Sequence, residues 1–164
     1  MLPKNKKPKR PVKKKYKISV ERNGALHELQ RYKVELEMTS PGYNRCITCG
    51  KIIDDAQGGH FIQRAIRATE LEEDNVNPQC PRCNMEEGGR QLIYREKLAD
   101  KIGLERVERL VLMYRASLGS DEAFDQLDPQ DQLKVSHKKS ASDYHEIRMK
   151  YKRLRKELKE KRGW

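Results

Sequence analysis

Apolar side chains recur at three- and four-residue steps in four places along this chain, with polar stretches between them. Leu26, Leu29, Tyr32 and Leu36 predict a helix from Ala25 to about Met38. Asn23-Gly24 offers the alternative of a hairpin turn after Lys17-Ile18-Ser19-Val20, but the Leu/Glu/Gln/Lys run that follows favours helix. Thr39-Ser40-Pro41-Gly42 ends that element. Leu92, Tyr94, Leu98 and Ile102 mark a second helix, and Gly103 interrupts it. Leu104, Val107, Val111, Tyr114 and Leu118 mark a third, and their stripe reads as core. Residues 119–141 read as a polar linker containing Pro129. A last helix runs from about Ser142 to Lys161, with Ser142 or Asp143 as N-cap. On it Tyr144, Ile147, Tyr151, Leu154 and Leu158 follow a 3-4-3-4 spacing. Two heptads are fewer than the roughly three or four that define a coiled coil. The stripe therefore packs on the domain or forms the seam of a homodimer.

Between the first and second helices the period is lost, and cysteine takes over. All four cysteines fall in two C-x-x-C pairs, Cys46/Cys49 and Cys80/Cys83, with 30 residues between the pairs. Two such pairs with no spare thiol suit a tetrahedral zinc site. Disulfides within each pair would close strained small loops. Plain zinc ribbons separate their pairs by roughly 15–20 residues, so this gap leaves room for a hairpin. Lys51-Ile52-Ile53 and the stretch around His60-Phe61 predict short strands, and Asn75–Gln79 leads into the second knuckle. Helix resumes near Cys83 and breaks at Gly88-Gly89.

Composition explains why a metal is needed. Hydrophobic residues make up 35% and charged residues 37% of the chain, little apolar material for 164 residues, and zinc would compensate. The fold class expected is α+β, a zinc-stabilised core in a mostly helical chain. Its parts are a tail (1–17), a helix and loop (18–42), a zinc module with following helices (43–118), the linker (119–141) and a basic C-terminal helix (142–164). No apolar run reaches the roughly 18–20 residues of a membrane span. The net charge of +11 is concentrated at the ends: +9 in residues 1–17, +6 in 145–164, and −4 between them. The tail, with Lys13, Lys14 and Lys15, is expected to be disordered until it meets a polyanion, whose counterions it would release.

The residues inside the cysteine frame suggest a chemistry. Phosphodiester hydrolysis needs a general base, charge stabilisation at the phosphate and a surface that admits DNA. A histidine titrates near neutrality, so His60 fits the base. Asn75, five residues before Cys80, fits an asparagine that ties the hairpin loop, and Asn84, next to Cys83, fits an oxygen ligand for a metal. Taken singly, Asn75 could serve a turn and Asn84 a helix cap. Their joint placement is what an HNH-type, ββα-metal nuclease requires.

The run CITCG…GGHFIQR…EDNVNPQCPRCN…GG…YR resembles the NinG/Rap family of phage recombination proteins, over about residues 43–118. It is similar, more distantly, to phage endonuclease VII. The resemblance implies a structure-specific endonuclease for branched DNA, such as D-loops and Holliday junctions, using Mg²⁺ or Mn²⁺ in the cytoplasm of a bacterial host. It implies His60 as base, Asn75 as the middle asparagine, Asn84 as metal ligand, and Arg64, with Arg67 and Arg90, at DNA phosphates. Recombination proteins are further expected partners. Two positions depart from the wider pattern. Gly59 stands where many relatives carry a metal ligand, so a second ligand is sought among Asp54, Asp55, Glu86 and Glu87. Glu87 is favoured because it lies one helical turn from Asn84. Gly89-Arg90 replaces a Gly-Asn. The competing readings are a zinc module that binds DNA without cutting it, and an endonuclease for linear duplex.

Overall fold

A computed structural model describes residues 16–163. Lys13, Lys14 and Lys15, and the disorder expected of residues 1–17 as far as residue 15, lie outside the described residues; Tyr16 and Lys17 are ordered instead, Tyr16 stacked on His145 with ring centroids 4.1 Å apart and Lys17 at the N-cap of the first helix. The chain begins with a long helix, α1 (Ile18–Leu36). Two small antiparallel sheets follow. In one, β1 (Asn44–Arg45) pairs with β2 (Ile52–Ile53). In the other, β3 (Gln57–His60) pairs with β4 (Val76–Gln79), placing His60 opposite Val76 and Gly59 opposite Asn77. A π-helical turn at Arg82–Glu86 leads into α2 (Gln91–Ile102) and α3 (Leu104–Ser117). Helices α4 (Asp121–Asp125), α5 (Pro129–Ser136) and α6 (Ala141–Arg162) complete the fold.

α1 starts earlier than the apolar period indicates and runs straight through Asn23-Gly24, so the hairpin alternative does not form. The reason is tertiary. The first turns of α1 are held by α6, where Glu21 meets His145 and Arg148. The stripe on α6 is used within the chain: Leu29 and Tyr32 of α1, with Val76 of β4, pack against Ile147, Tyr151 and Leu154. Buried Arg155 adds charge to this contact, reaching Glu28 at 2.6 Å and Glu35 at 2.6 and 2.9 Å. Arg162 closes the far end by donating to the Glu35 and Leu36 carbonyls, which α1 leaves without intrahelical partners.

The expected linker is folded. Ser120 caps α4, and Asp128 caps α5 with Pro129 at its first position, so local polar chemistry supplies helices where the apolar signal is weak. Ala123 and Leu127 enter a core with Ala68, Met113 and Ala116. Asp131 is buried against Arg109, which also reaches Glu72 at 2.9 Å. The N-cap of α6 is Ser140, in a capping box with Asp143, rather than Ser142 or Asp143 itself. Under the β3–β4 hairpin lies the main core, Phe61, Ile62, Tyr94, Leu98, Val107 and Leu110. The hairpin is thus pressed between α2–α3 on one side and α1 on the other.

Candidate functional site

The four cysteines converge as their spacing predicts. Their sulfur atoms all lie within 4.8 Å of one another, and Cys49 Sγ is 3.9 Å from Cys80 Sγ. Sulfurs around a tetrahedral zinc with Zn–S near 2.3 Å would be roughly 3.8 Å apart. None of the four is in a disulfide. The thiols also behave as a set short of positive charge. Burial opposes ionisation of Cys46, but hydrogen bonds from Cys49, Thr48 and Cys80 prevail and bring it down to about 6. Burial pushes Cys80 up to about 12, and the neighbouring thiols add to the effect. A divalent cation supplies the missing charge, so the site can hold zinc.

β3 alternates between two faces. Gly58 and His60 turn toward α1, and a Cβ at Gly58 would meet Gln30 at 2.7 Å, so glycine lets the helix settle on the strand. Gln57 and Gly59 turn toward the π-helical turn, where Asn84 Nδ2 donates to Gln57 Oε1 at 2.8 Å. The strand is anchored from below by buried Tyr94, whose hydroxyl donates to the Gly59 carbonyl at 2.9 Å.

His60 is half-buried. Its Nε2 lies 3.0 Å from the backbone carbonyl oxygen of Glu70, which can only accept, so the ring's proton sits on Nε2 and Nδ1 is left as the basic nitrogen. Burial foremost, helped by the nearby charges of Arg64 and Arg22, holds the His60 pKa below its ordinary value despite the opposing contact with Glu70. Glu70 is itself fully buried. Arg22 from α1 donates to its Oε2 at 2.7 Å and Tyr144 from α6 to its Oε1 at 2.6 Å. Asn75 is also fully buried and clamps the backbone just beyond His60. Its Oδ1 accepts from Ile62 N–H at 2.6 Å, and its Nδ2 donates to the Ile62 and Thr69 carbonyls, each at 2.9 Å. The loop between β3 and β4 is therefore tied at both ends.

The family described as Bacteriophage Lambda NinG protein matches residues 3–117. The chain belongs to the NinG family. No curated protein and no solved structure matches it. NinG proteins are recombination-related proteins of lambdoid phages, and the match covers α1 as well as the cysteine module.

In this NinG chain the structure brings His60, Asn75 and Asn84 to one hairpin and the turn that follows it. Of the sequence's four candidates for a second ligand, Asp55, Glu86 and Glu87 go elsewhere. All three line a depression with Cys49, Cys80 and Cys83. Glu87 is held there by Arg82 at 2.8 Å and Arg90 at 3.3 Å. The π-helical turn causes this, because its wider backbone closure moves Glu87 off the face that Asn84 occupies. Arg90 accordingly sits on the cysteine side. Among the described residues, the four cysteines are the one group of three or more His, Cys, Asp or Glu side chains placed to share a metal.

Arg64 is exposed at the start of the loop beyond His60, and its backbone carbonyl accepts from Arg22 at 2.8 Å. Arg67 borders a groove of about 560 Å³ with His137, Lys138, Lys139 and Tyr144. Lys138 and Lys139 come from the expected linker, and sequence reasoning did not assign them a role. Ile18, where the basic tail joins α1, lines the same groove. Glu70, Tyr94 and Arg22 were also missed. A charged or aromatic residue carries no local sign that its partner is 35, 48 or 74 positions away, as for Tyr94 with Gly59, Arg22 with Glu70 and Tyr144 with Glu70.

Proposed function

We propose that this NinG protein is an HNH-type endonuclease that cuts branched DNA in phage recombination, by metal-assisted hydrolysis with His60 as general base. One observation carries the reading. Asn75 fixes the loop directly beyond His60 with three hydrogen bonds, while Asn84 crosses the same hairpin beside Gly59. Cysteine knuckles need no such clamp for zinc alone.

His60 Nδ1 would take a proton from water as the water oxygen bonds to phosphorus. The P–O3′ bond then breaks, and the departing oxygen is protonated from solvent, leaving a 5′-phosphate and a 3′-hydroxyl. Mg²⁺ or Mn²⁺ would stabilise the charge on phosphate and leaving oxygen. Arg64, beside the base, and the groove of Arg67, Lys138 and Lys139 would hold the strand by its phosphates. No helix of the described residues is long and apolar enough to cross a membrane.

The competing reading, a zinc module that holds DNA without cutting it, draws on the side chain missing at Gly59. The deciding experiment compares purified protein and His60→Ala on junction, flap and linear duplex substrates, with Mg²⁺ or Mn²⁺. Cleavage of branched substrates by wild type alone is expected. Identical behaviour of the two proteins would leave only the binding module, and equal cutting of linear duplex would remove the preference for branches.

A further inference from the structure

Gly59 is the position at which this site lacks a side chain, and the space is already taken. A Cβ at 59 would lie 1.9 Å from Gln79 Oε1 and 3.1 Å from Asn84 Oδ1. Gln79 is fully buried, and its Nε2 donates to the Gly89 carbonyl at 3.2 Å and Thr48 Oγ1 at 3.4 Å. Its Oε1 is buried with no hydrogen-bond partner. Asn84 spends its Nδ2 on Gln57, which leaves Oδ1 facing the same space. Two carboxamide oxygens thus converge on one glycine with no donor between them. A buried acceptor left in this state, as Gln79 Oε1 is, is costly. A hard divalent cation relieves the cost, because such ions take amide oxygens as ligands and complete their shell with water and substrate phosphate.

We propose that Gln79 Oε1 and Asn84 Oδ1 are paired protein ligands for a divalent cation beside Gly59, Gln79 replacing the side chain that residue 59 does not carry. The proposal rests on the metal-dependent nuclease reading and supplies the ligand that Asp55 and Glu87 are not placed to give. Of the two ligands Asn84 is the one that borders a groove, of about 450 Å³ with His27, Gln30, Arg31 and Gln57, and an ion would enter past it. Because both ligands are neutral, the ion would be held weakly until a DNA phosphate joins the shell, and DNA and ion would each tighten the other's binding.

The test is Mn²⁺ binding to zinc-loaded, full-length protein, read from the electron paramagnetic resonance signal of free Mn²⁺, with zinc content and melting temperature recorded in parallel. Gln79→Met keeps the length of the side chain and removes its oxygen. It is expected to weaken Mn²⁺ binding by about tenfold or more with zinc content unchanged. Gln79→Glu adds a charge at the same point and should tighten binding by a similar factor. Gly59→Asp combined with Gln79→Ala moves the ligand from one strand to the other, and should recover binding that Gln79→Ala alone loses. A zinc-loaded Gln79→Met protein that binds Mn²⁺ as wild type does would overturn the proposal. If Gln79→Met does not fold, Gln79→Glu decides, and unchanged affinity overturns it. Absence of any Mn²⁺ site in wild type, both alone and with an uncleavable phosphorothioate DNA bound, overturns it as well. Mn²⁺ binding through Gln79 in a protein that cuts no DNA would support these ligands while removing the nuclease reading.

Discussion

The imidazole of His60 hangs from the backbone carbonyl of Glu70, 3.0 Å away, so the chain itself decides which ring nitrogen is free. Because burial lowers the His60 pKa, its neutral form persists below the ordinary histidine value of 6.5. Cleavage should therefore hold steady from pH 8 down past 6.5 and fall only as pH drops through the lowered value. Stability follows the same sign. The contribution is fully present above the unfolded pKa and is lost as pH falls through the folded one. Cleavage rates measured across this range check the prediction, and an acid limb centred above 6.5 contradicts it.

Asn75→Ala should cost about 3 kcal/mol, since it leaves the Ile62 N–H and two carbonyls of a buried loop without their partner. Urea unfolding of zinc-loaded protein measures the loss. A cost within error of zero would show that the loop is held by other contacts.

Arg155→Ala removes one cation from between two carboxylates, Glu28 and Glu35, and should destabilise by about 3 kcal/mol. Replacing all three with apolar residues of similar volume should restore much of that stability, because no charge is then left stranded. Denaturant midpoints of the single and triple variants separate the two outcomes.

Metal analysis should find one zinc per chain, and a strong chelator should unfold the cysteine module and abolish cleavage even with Mg²⁺ in excess. Zinc affinity should fall as pH is lowered, because protons compete for the thiolates. Circular dichroism during chelation provides the check. Retained structure after complete zinc removal would mean that the sulfur cluster is not the scaffold.

The sequence showed most clearly what depends on short spacing. The cysteine pairs, the 3-4 stripe of α6 and the Gly103 break all appear in the structure. The core stripe expected on α3 does not: Leu104, Tyr114 and Leu118 are exposed, and the helix buries Val107, Leu110, Met113 and Ala116. It showed least what depends on partners distant along the chain. Glu70 sits in an acid-rich stretch with Glu72, Glu73 and Asp74, and only the arrival of Arg22 and Tyr144 distinguishes it. Glu87 looked like a ligand because ordinary helix geometry places it one turn from Asn84. The π-helical turn changes that geometry, and sequence periodicity does not reveal it. The segment 119–141 reads as a linker because its helices are short, begin on polar caps, and send only scattered apolar side chains such as Ala123 and Leu127 into the core.

Helices α1 and α6 lie at opposite ends of the described chain, yet Arg22 from one and Tyr144 from the other grip the carboxylate of Glu70, and the carbonyl of Glu70 orients His60. The two end helices thus meet at one buried side chain next to the histidine. A chain cut before Tyr144 would keep all four cysteines and lose one of the two groups that hold the Glu70 carboxylate.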